Sequence, residues 1–346
     1  MERRVVVTGM GAVSPLGLDV PSLWQGIVEA RSGIGPITLF DASSFDTRFA
    51  GEVWGFDPTN YMDRKEVRRT DRFVHFALAA AQEALRTSEL QITDANRDEI
   101  GVYFASGIGG IATLTEQIDV LRARGPGRIS PFLIPAMITN LAAGHVSILS
   151  GARGPSICTT SACASSAHAI GEAAETIRRG WAQAIIVGGA EAAMTQIGIA
   201  GFNAMRALST RNDSPQTASR PFDVSRDGFV MGEGGAALIL EDLEHAQARG
   251  AHILAELVGY GATSDAVHIT SVDEGGGRPR SALGPQARRR AARGSGLHQC
   301  PRHLNTRRRP GGDGGDPCGL RRSRERPARQ FQQVAVWPPT RCRRCD

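Results

Sequence analysis

Two cysteines lie five residues apart in the segment SICTTSACASSAHAIGEA, residues 156–173. Cys158 lies in the run SICTT, which is typical of a buried strand, where a cysteine is most often a small packing residue. Cys163 follows where that strand gives way to an alanine-rich helical pattern. The unpaired N–H groups and the positive dipole of a helix start lower a thiol's pKa and stabilise an oxyanion. Cys163 is therefore a candidate nucleophile for attack on a carbonyl carbon, and a purely structural cysteine stays open as the alternative.

The segments around this junction alternate between apolar strands and amphipathic helices. Strands are predicted over 3–8, 100–106, 155–160, 184–188, 235–240 and 253–260, and helices over 21–30, 71–87, 112–124, 140–149, 163–179 and 243–249. The stretch 43–66 shows neither period and is predicted to be irregular surface. Strands alternating with helices predict α/β layers with helices on both faces of a sheet.

The other motifs of the sequence give no strong evidence of a functional site. VTGMGAVSPLG resembles a dinucleotide fingerprint, but Ser14 replaces the third glycine and Pro15 stands where the helix should run, which argues against nucleotide binding. No G-x-S-x-G segment supports a serine hydrolase. His75, His145 and His168 fall on apolar helical patterns and are predicted to be packing or surface residues. The acidic residues of one glycine-rich stretch are predicted to anchor turns rather than to form an acid–base pair: Asp223, Asp227 and Glu233.

The charge of the 346-residue chain is spread unevenly. From Arg278 onward there are 18 arginines, no lysine and 4 acidic residues, so this part carries about +14 and the preceding part about −9. Neither a signal sequence nor an apolar run near ~20 residues is present, so no secretion and no membrane span are predicted. Only Cys158 and Cys163 precede Arg278, which favours a reducing compartment and hence the cytoplasm.

Six segments together resemble the β-ketoacyl-acyl-carrier-protein synthases, the elongating condensing enzymes of fatty-acid synthesis, type II subgroup. They are RRVVVTGMGAVSPLG, FASGIGG, SACASSAHAIGEA, VGGAEAAMTQIGIAGFNAMRALSTRND, ASRPFDVSRDGFVMGEGG and GYGATSDAVHIT, in the family's order over residues 1 to about 274. The resemblance implies a thiolase-like α/β fold layered α-β-α-β-α, usually a homodimer, without a cofactor or metal. It implies that Cys163 takes an acyl chain from an acyl carrier protein as a thioester. Ile108 and Phe202 would line the acyl pocket, although plain core packing would look the same in sequence.

Condensation in this family needs more than the cysteine. The family decarboxylates malonyl-carrier protein with two histidines and a nearby lysine, carried by motifs like N-A-H-G-T-S-T-P and S-S-T-K-S-x-x-G-H-x-x-G-A-A-G. Neither motif appears in this chain, and Lys65 is its single lysine. The chain is therefore expected not to complete the condensation. A non-catalytic or polyketide-type condensing subunit is the alternative, although the non-catalytic subunits lack the nucleophilic cysteine that this chain has.

Residues 275–346 differ in composition from residues 1–274, which carry the resemblance. Glycine, proline and arginine dominate them without a helical or strand period, so they are predicted to be disordered. Their cysteines and histidine mimic zinc-ligand spacing and their arginines mimic a nucleic-acid patch. The spacing lies in two pairs, Cys300-x-x-His303 and Cys342-x-x-Cys345.

A shift of one base in the reading frame accounts for this composition. With allowed codons, residues 297–317 can read Y-I-N-A-H-A-T-S-T-P-A-G-D and residues 330–345 can read S-S-S-K-S-L-Y-G-H-L-L-G-A-A-G. Both are the missing motifs, in the family's order and in the same shifted frame. We therefore expect a frame slip between about Gly275 and Arg290, with the second half of the fold largely missing. His303 is then not the family's histidine, and neither a metal nor a nucleic acid is an expected partner.

Overall fold

The computed structural model describes residues 3–264, residue 266 and the backbone of residues 335–337. Its strands are β1 (Val5–Val13), β2 (Gly35–Pro36), β3 (Phe49–Ala50), β4 (Ile100–Ala105), β5 (Ser156–Ile157), β6 (Ala184–Glu191), β7 (Gly234–Asp242), β8 (Ala255–Gly259) and β9 (Ala335–Trp337). Its helices are α1 (Val20–Val28), α2 (Arg64–Val67), α3 (Arg72–Ser88), α4 (Ile111–Arg124), α5 (Leu133–Met137), α6 (Leu141–Ser150), α7 (Ser165–Arg178), α8 (Gln196–Ala204) and α9 (Leu243–Ala248).

Seven of these strands form one mixed sheet in the order β5-β4-β6-β7-β1-β8-β9. β4 runs parallel to both β5 and β6, whereas β6, β7, β1, β8 and β9 pair antiparallel in turn. The parallel strands β4 and β6 are almost wholly apolar and buried, as expected for strands covered on both faces. β2 and β3 form a separate two-stranded ribbon.

α3 covers one face of the sheet. It begins after Asp71, whose side chain accepts a hydrogen bond from the N–H of Phe73 and caps the helix. Phe73 and Phe76 are fully buried in the largest apolar cluster, between α3, α6 and the sheet. A side chain at Gly11 of β1 would collide with the carbonyl of Ala80, so the glycines of TGMG allow the close approach of β1 to α3.

α7 covers the opposite face of the sheet. Its small residues Ala169 and Ala173, together with Ile177, pack on Tyr103 and Ile185 of the sheet. The Tyr103 hydroxyl also lies 2.9 Å from the Thr176 hydroxyl, which satisfies both buried groups. The α7–sheet–α3 stack is the predicted helix–sheet–helix layering, and the other two of the five implied layers are not among the described residues.

The main differences from the sequence prediction concern the lengths of two strands and several short elements. β1 continues to Val13 instead of ending near Thr8, because β7 pairs with it along almost its whole length. β5 is only two residues long. The stretch 43–66 contains the short elements β3 and α2, which the sequence did not indicate. α5 and α8 were not predicted.

The structure describes most of residues 1–274 but little of residues 275–346, the two parts proposed from composition. In residues 275–346 the structure describes only β9, whose backbone pairs antiparallel with β8. The disorder prediction for the rest, the zinc-like cysteines, His303 and the shifted-frame motif of residues 297–317 lie outside the described residues. Of the second shifted-frame motif, residues 330–345, only β9 is described. Within the described part of the chain, no helix has both the length and the apolar character that a membrane crossing requires.

Candidate active site

Cys163 lies on a tight turn at the start of α7. The chain leaves β5 at Ile157 and reaches a single 3₁₀ turn at Ala162–Ala164. Ala162 has φ +51°, a left-handed conformation that costs a non-glycine residue about 1 kcal/mol. The turn carries the thiol of Cys163 to the surface, where it is exposed and free. The prediction of a strand-to-helix junction is thus correct, with the helix itself starting two residues later than predicted.

Hydrogen bonds hold this strained turn. The Ser165 hydroxyl accepts the N–H of Ser161 at 2.8 Å and donates to the carbonyl of Ala162 at 2.7 Å. The Ser161 hydroxyl lies 2.6 Å from Nδ1 of His168, one turn further along α7. His168 was predicted to be a packing or surface residue, and its contact with the nucleophile turn was missed. The signal in the sequence is weak, since a serine and a histidine seven residues apart are common.

A second loop, residues 106–110, lies against the cysteine turn. The Thr160 hydroxyl donates to the carbonyl of Ser106 at 3.1 Å. Gly107 neighbours Ala162, and a Cβ on Gly107 would be in ordinary van der Waals contact with the Ala162 carbonyl oxygen at 3.5 Å. Ile108 follows on this loop and is 41% exposed. The loop that carries the predicted pocket residue Ile108 therefore lies against the turn that carries the predicted nucleophile.

The carboxylate of Glu191 anchors this loop from the end of β6. Its Oε2 atom accepts the N–H of Gly107 at 2.9 Å and the N–H of Ile108 at 3.0 Å. The Ser106 hydroxyl lies 3.4 Å from Oε1 and accepts the N–H of Gly109 at 2.9 Å. Burial raises the pKa of Glu191, and these neutral N–H donors only partly oppose that rise. Glu191 was not predicted as a site residue, although it lies in the segment VGGAEAAM.

Residues 2–246 match the protein family described as "Beta-ketoacyl synthase, N-terminal domain". The chain belongs to the β-ketoacyl synthase family. The resemblance seen in the sequence is thereby confirmed for the family.

Individual relatives agree with this assignment. The β-ketoacyl synthase chain is 54% identical over 281 residues to the 3-oxoacyl-[acyl-carrier-protein] synthase 2 of Synechocystis sp., with 81% of this chain and 68% of that protein covered. It is 47% identical over 322 residues to the protein of the same name from Vibrio harveyi, with 93% and 77% covered. The segments quoted for the resemblance therefore belong to a similarity that runs through most of the chain.

Solved structures show the same fold. A β-ketoacyl synthase from Burkholderia phymatum superposes with a TM-score of 0.71 at 35% identity, covering 78% of this chain and 66% of that one. The ishigamide ketosynthase/chain length factor gives 0.72 at 31% identity, covering 78% and 66%. A ketosynthase in complex with a type II polyketide synthase acyl-carrier protein gives 0.70 at 34% identity, covering 79% and 66%. The predicted thiolase-like α/β fold class is therefore confirmed, and the chain spans about two thirds of these structures.

Phe202 is the other predicted pocket residue of this β-ketoacyl synthase. It is half-buried on α8, in a third apolar cluster that includes Met194, Ile199 and Met231. Its ring meets the ring of Phe229 edge-on, with centroids 5.3 Å apart. Packing accounts for these contacts, so the pocket role of Phe202 stays a prediction, as does that of Ile108.

The remaining polar residues of interest have other partners. Asp227 accepts hydrogen bonds from Ser209 and from Arg220, and Asp223 accepts from the N–H of Ser225. Glu233 is fully buried in an ion pair, so it does more than anchor a turn; its partner is Arg72 at 2.7 Å. None of the three contacts the cysteine turn through these bonds.

A cleft of about 650 Å³ opens beside α3, on the face of the sheet opposite α7, and its polar side chains are already engaged. Gln82 donates to the carbonyl of Tyr61, and Glu83 accepts the N–H groups of Ala12 and Val20. Within residues 3–264, no cluster of three or more histidine, cysteine or acidic side chains could hold a metal ion. Cys163 stays the predicted nucleophile of this part of the chain.

Proposed function

We propose that this chain is a β-ketoacyl-acyl-carrier-protein synthase whose Cys163 accepts an acyl group as a thioester. The observation that carries the proposal is the exposed, free cysteine just before α7. It directly follows Ala162, whose backbone is in the left-handed conformation. A thiolate there attacks the carbonyl carbon of an acyl thioester, and the N–H groups of the first helical turn face the oxyanion that forms. The bond to the carrier's sulfur then breaks, and the carrier leaves as the thiol after taking up a proton.

The second half of the family's reaction is proposed not to proceed in this chain. Condensation requires malonyl-carrier protein to lose CO₂ and its carbanion to attack the thioester on Cys163, which releases the cysteine sulfur. The two histidines and the lysine that the family uses are absent from the in-frame sequence, where Lys65 on α2 is the single lysine. We attribute their absence to the frame slip, and resequencing the codons of residues 275–290 tests it directly.

The acylation step is tested by intact-mass measurement of the full chain after incubation with an acyl-carrier thioester. We expect a mass increase of one acyl group, lost in Cys163→Ala and kept in the matched control Cys158→Ala. Cys158 is a suitable control because it is a second free thiol five residues away, half-buried next to Thr160. An adduct that survives in Cys163→Ala contradicts the assignment. Adding malonyl-carrier protein is expected to give no β-ketoacyl product. Formation of that product would contradict the proposal that condensation does not proceed in this chain.

A polyketide-type condensing subunit is the second candidate. It is favoured by the likeness to the ishigamide ketosynthase/chain length factor and to the ketosynthase solved with its polyketide acyl-carrier protein. The two candidates differ in the carrier that they accept. Faster acylation of Cys163 from a polyketide carrier than from a fatty-acid carrier would support this candidate against the first.

The carrier protein is proposed to be the macromolecular partner, and a second copy of the chain the oligomeric one. β5 forms the edge of the sheet and exposes Ile157, so the edge is open to further pairing. Light scattering on the purified chain tests the dimer, and a monomeric mass contradicts it. Both cysteines in the described residues are free, which agrees with a reducing compartment, so we propose the cytoplasm as the location.

A further inference from the structure

The carboxylate of Glu191 is bound by backbone N–H groups of the loop that carries Ile108. Two successive N–H groups, those of Gly107 and Ile108, point at one carboxylate oxygen at 2.9 and 3.0 Å. Such successive backbone donors form an anion-binding concavity. Here the anion is part of the protein and is fixed at the end of β6, so the loop is held from a rigid element.

The loop is confined on its other sides as well. Gly109 has φ +77°, and a Cβ at that position would lie 2.6 Å from the carbonyl oxygen of Met137 at the end of α5. Gly107 lies against Ala162, next to Cys163. Ile108 itself is 41% exposed, so part of its surface faces solvent. The backbone that carries the Ile108 side chain is therefore held by Glu191 on one side and by the contacts with Met137 and Ala162 on the others.

We propose that Glu191 is a positioning residue that fixes Ile108 beside Cys163 and thereby limits the length of the acyl chain that Cys163 accepts. This inference rests on the proposed acylation of Cys163. Both oxygens of the Glu191 carboxylate are engaged by the loop, Oε2 by two N–H groups and Oε1 by the Ser106 hydroxyl. Glu191 therefore acts through Ile108 and does not itself meet the substrate.

The test compares Glu191→Ala with the conservative variant Glu191→Gln in the full chain. The rates at which hexanoyl- and palmitoyl-carrier protein acylate Cys163 are measured by intact mass, and their ratio is the readout. Releasing the loop lets Ile108 move aside, so Glu191→Ala should shift the ratio roughly tenfold toward palmitoyl. Glu191→Gln keeps an oxygen for the two N–H groups, and its ratio should stay within about threefold of the original.

A double variant separates positioning from general damage. If Glu191 acts through Ile108, removing the isoleucine side chain makes the anchor irrelevant to selectivity. The ratio for Glu191→Ala combined with Ile108→Ala should then equal that for Ile108→Ala alone. Independent, multiplicative effects of the two changes would overturn the proposal, and so would an unchanged ratio in Glu191→Ala.

Two further outcomes are kept distinct. Absence of any adduct in the unmodified chain refutes the proposed function, whereas normal acylation with an unaltered ratio in the variants refutes only the role of Glu191. If Glu191→Ala does not fold, Glu191→Asp replaces it, because the shorter side chain draws the carboxylate away from the loop. A shift toward palmitoyl in Glu191→Asp supports the proposal, and an unchanged ratio overturns it.

Discussion

Two glutamates lie at opposite ends of the antiparallel pair formed by β6 and β7. Glu241 of β7 stands opposite Ala184, the first residue of β6, and Glu191 ends β6 opposite Gly234. Both carboxylates are withdrawn from water, and both accept several hydrogen bonds. Their surroundings differ in one respect, the presence or absence of positive charge.

Glu241 is fully buried, and its partners are an arginine, a histidine and a hydroxyl group. Arg249 contacts both of its oxygens, His245 lies 2.8 Å away through Nδ1, and the Thr8 hydroxyl donates to it. Burial alone would raise the pKa of Glu241, but these hydrogen bonds outweigh it and lower the pKa to about 2. Glu191 has only neutral donors, so burial prevails and its pKa rises. The end of the β6–β7 pair that carries Glu241 thus stabilises the fold, whereas the end that carries Glu191 holds a loop of the candidate site.

The largest effect that tests this contrast is expected from Glu241→Gln. A neutral amide leaves the guanidinium of Arg249 without its anion, in a site that is only 21% exposed. Breaking such a pair should lower the free energy of unfolding by about 3 kcal/mol. Denaturant unfolding of the full chain at neutral pH measures the change.

Glu29→Gln is the matched control for that substitution. Glu29 pairs with Arg31 at 3.0 Å, but both side chains are close to half exposed. An exposed pair contributes little, so we expect a change of at most about 0.5 kcal/mol. Equal losses in the two variants would show that the buried network around Glu241 does not stabilise the fold more than a surface pair.

The sequence predicted the parts of the fold that depend on local periodicity. α3 and α7 have apolar residues at helical spacing, and β6 is a continuous apolar run, so each was predicted close to its observed bounds. α8 was missed because its glycines and scattered polar residues give no clear apolar stripe. β1 was predicted too short because only its pairing with β7 keeps the glycine-rich TGMG extended.

The candidate site was predictable to the extent that one residue's local setting reveals it. Cys163 stood out because a strand, a turn and a helix follow one another within a few residues. Glu191 could not be found in this way, since its partners lie 83 and 84 residues earlier in the chain. The contact of His168 with Ser161 likewise depends on how the turn at Ala162 folds back.

Gly189→Ala tests the end of the β6–β7 pair that lies next to the candidate site. A Cβ at this position would collide with the Ser166 hydroxyl in the first turn of α7, three residues after Cys163. We expect a loss of about 1–3 kcal/mol in the free energy of unfolding, and slower acylation of Cys163 because the turn is displaced. Thermal unfolding and intact mass measure the two effects.

Gly201→Ala is the control for Gly189→Ala. Gly201 lies on α8, and nothing stands within 4 Å of a Cβ there. Alanine should therefore be neutral or slightly stabilising and should leave acylation unchanged. Similar acylation rates in the two variants would argue against close packing between β6 and the cysteine turn.

A pH titration provides the third test, through His75 on α3. Burial lowers the pKa of His75 to about 4, while its Nε2 keeps a contact of 3.0 Å with the Thr70 hydroxyl. The unfolded chain takes up this proton near pH 6.5, so stability falls as the pH drops from 6.5 toward 4, by about 2 kcal/mol at pH 5. Glu241 contributes little at pH 5, because the stability that its lowered pKa supplies is lost only as the pH falls below its ordinary value near 4.5.

His75→Gln isolates that contribution. The variant has no titrating group at this position, so its free energy of unfolding should depend less on pH between 7 and 5 than that of the unmodified chain. Denaturant curves at the two pH values give the comparison. Identical pH dependence in both proteins would mean that His75 is not buried in its neutral form.

The smallest effect on stability is expected from Glu191→Gln. A folded-state pKa above the ordinary value means that the charged carboxylate is disfavoured in the fold, so this group costs stability as the pH rises through its folded pKa. The neutral amide removes that cost and keeps one oxygen for the N–H groups of Gly107 and Ile108. The free energy of unfolding at neutral pH should therefore change by less than about 1 kcal/mol, in the stabilising direction. Denaturant unfolding beside Glu241→Gln measures it, and comparable losses in the two variants would refute the division between a stabilising end and a site-holding end of the β6–β7 pair.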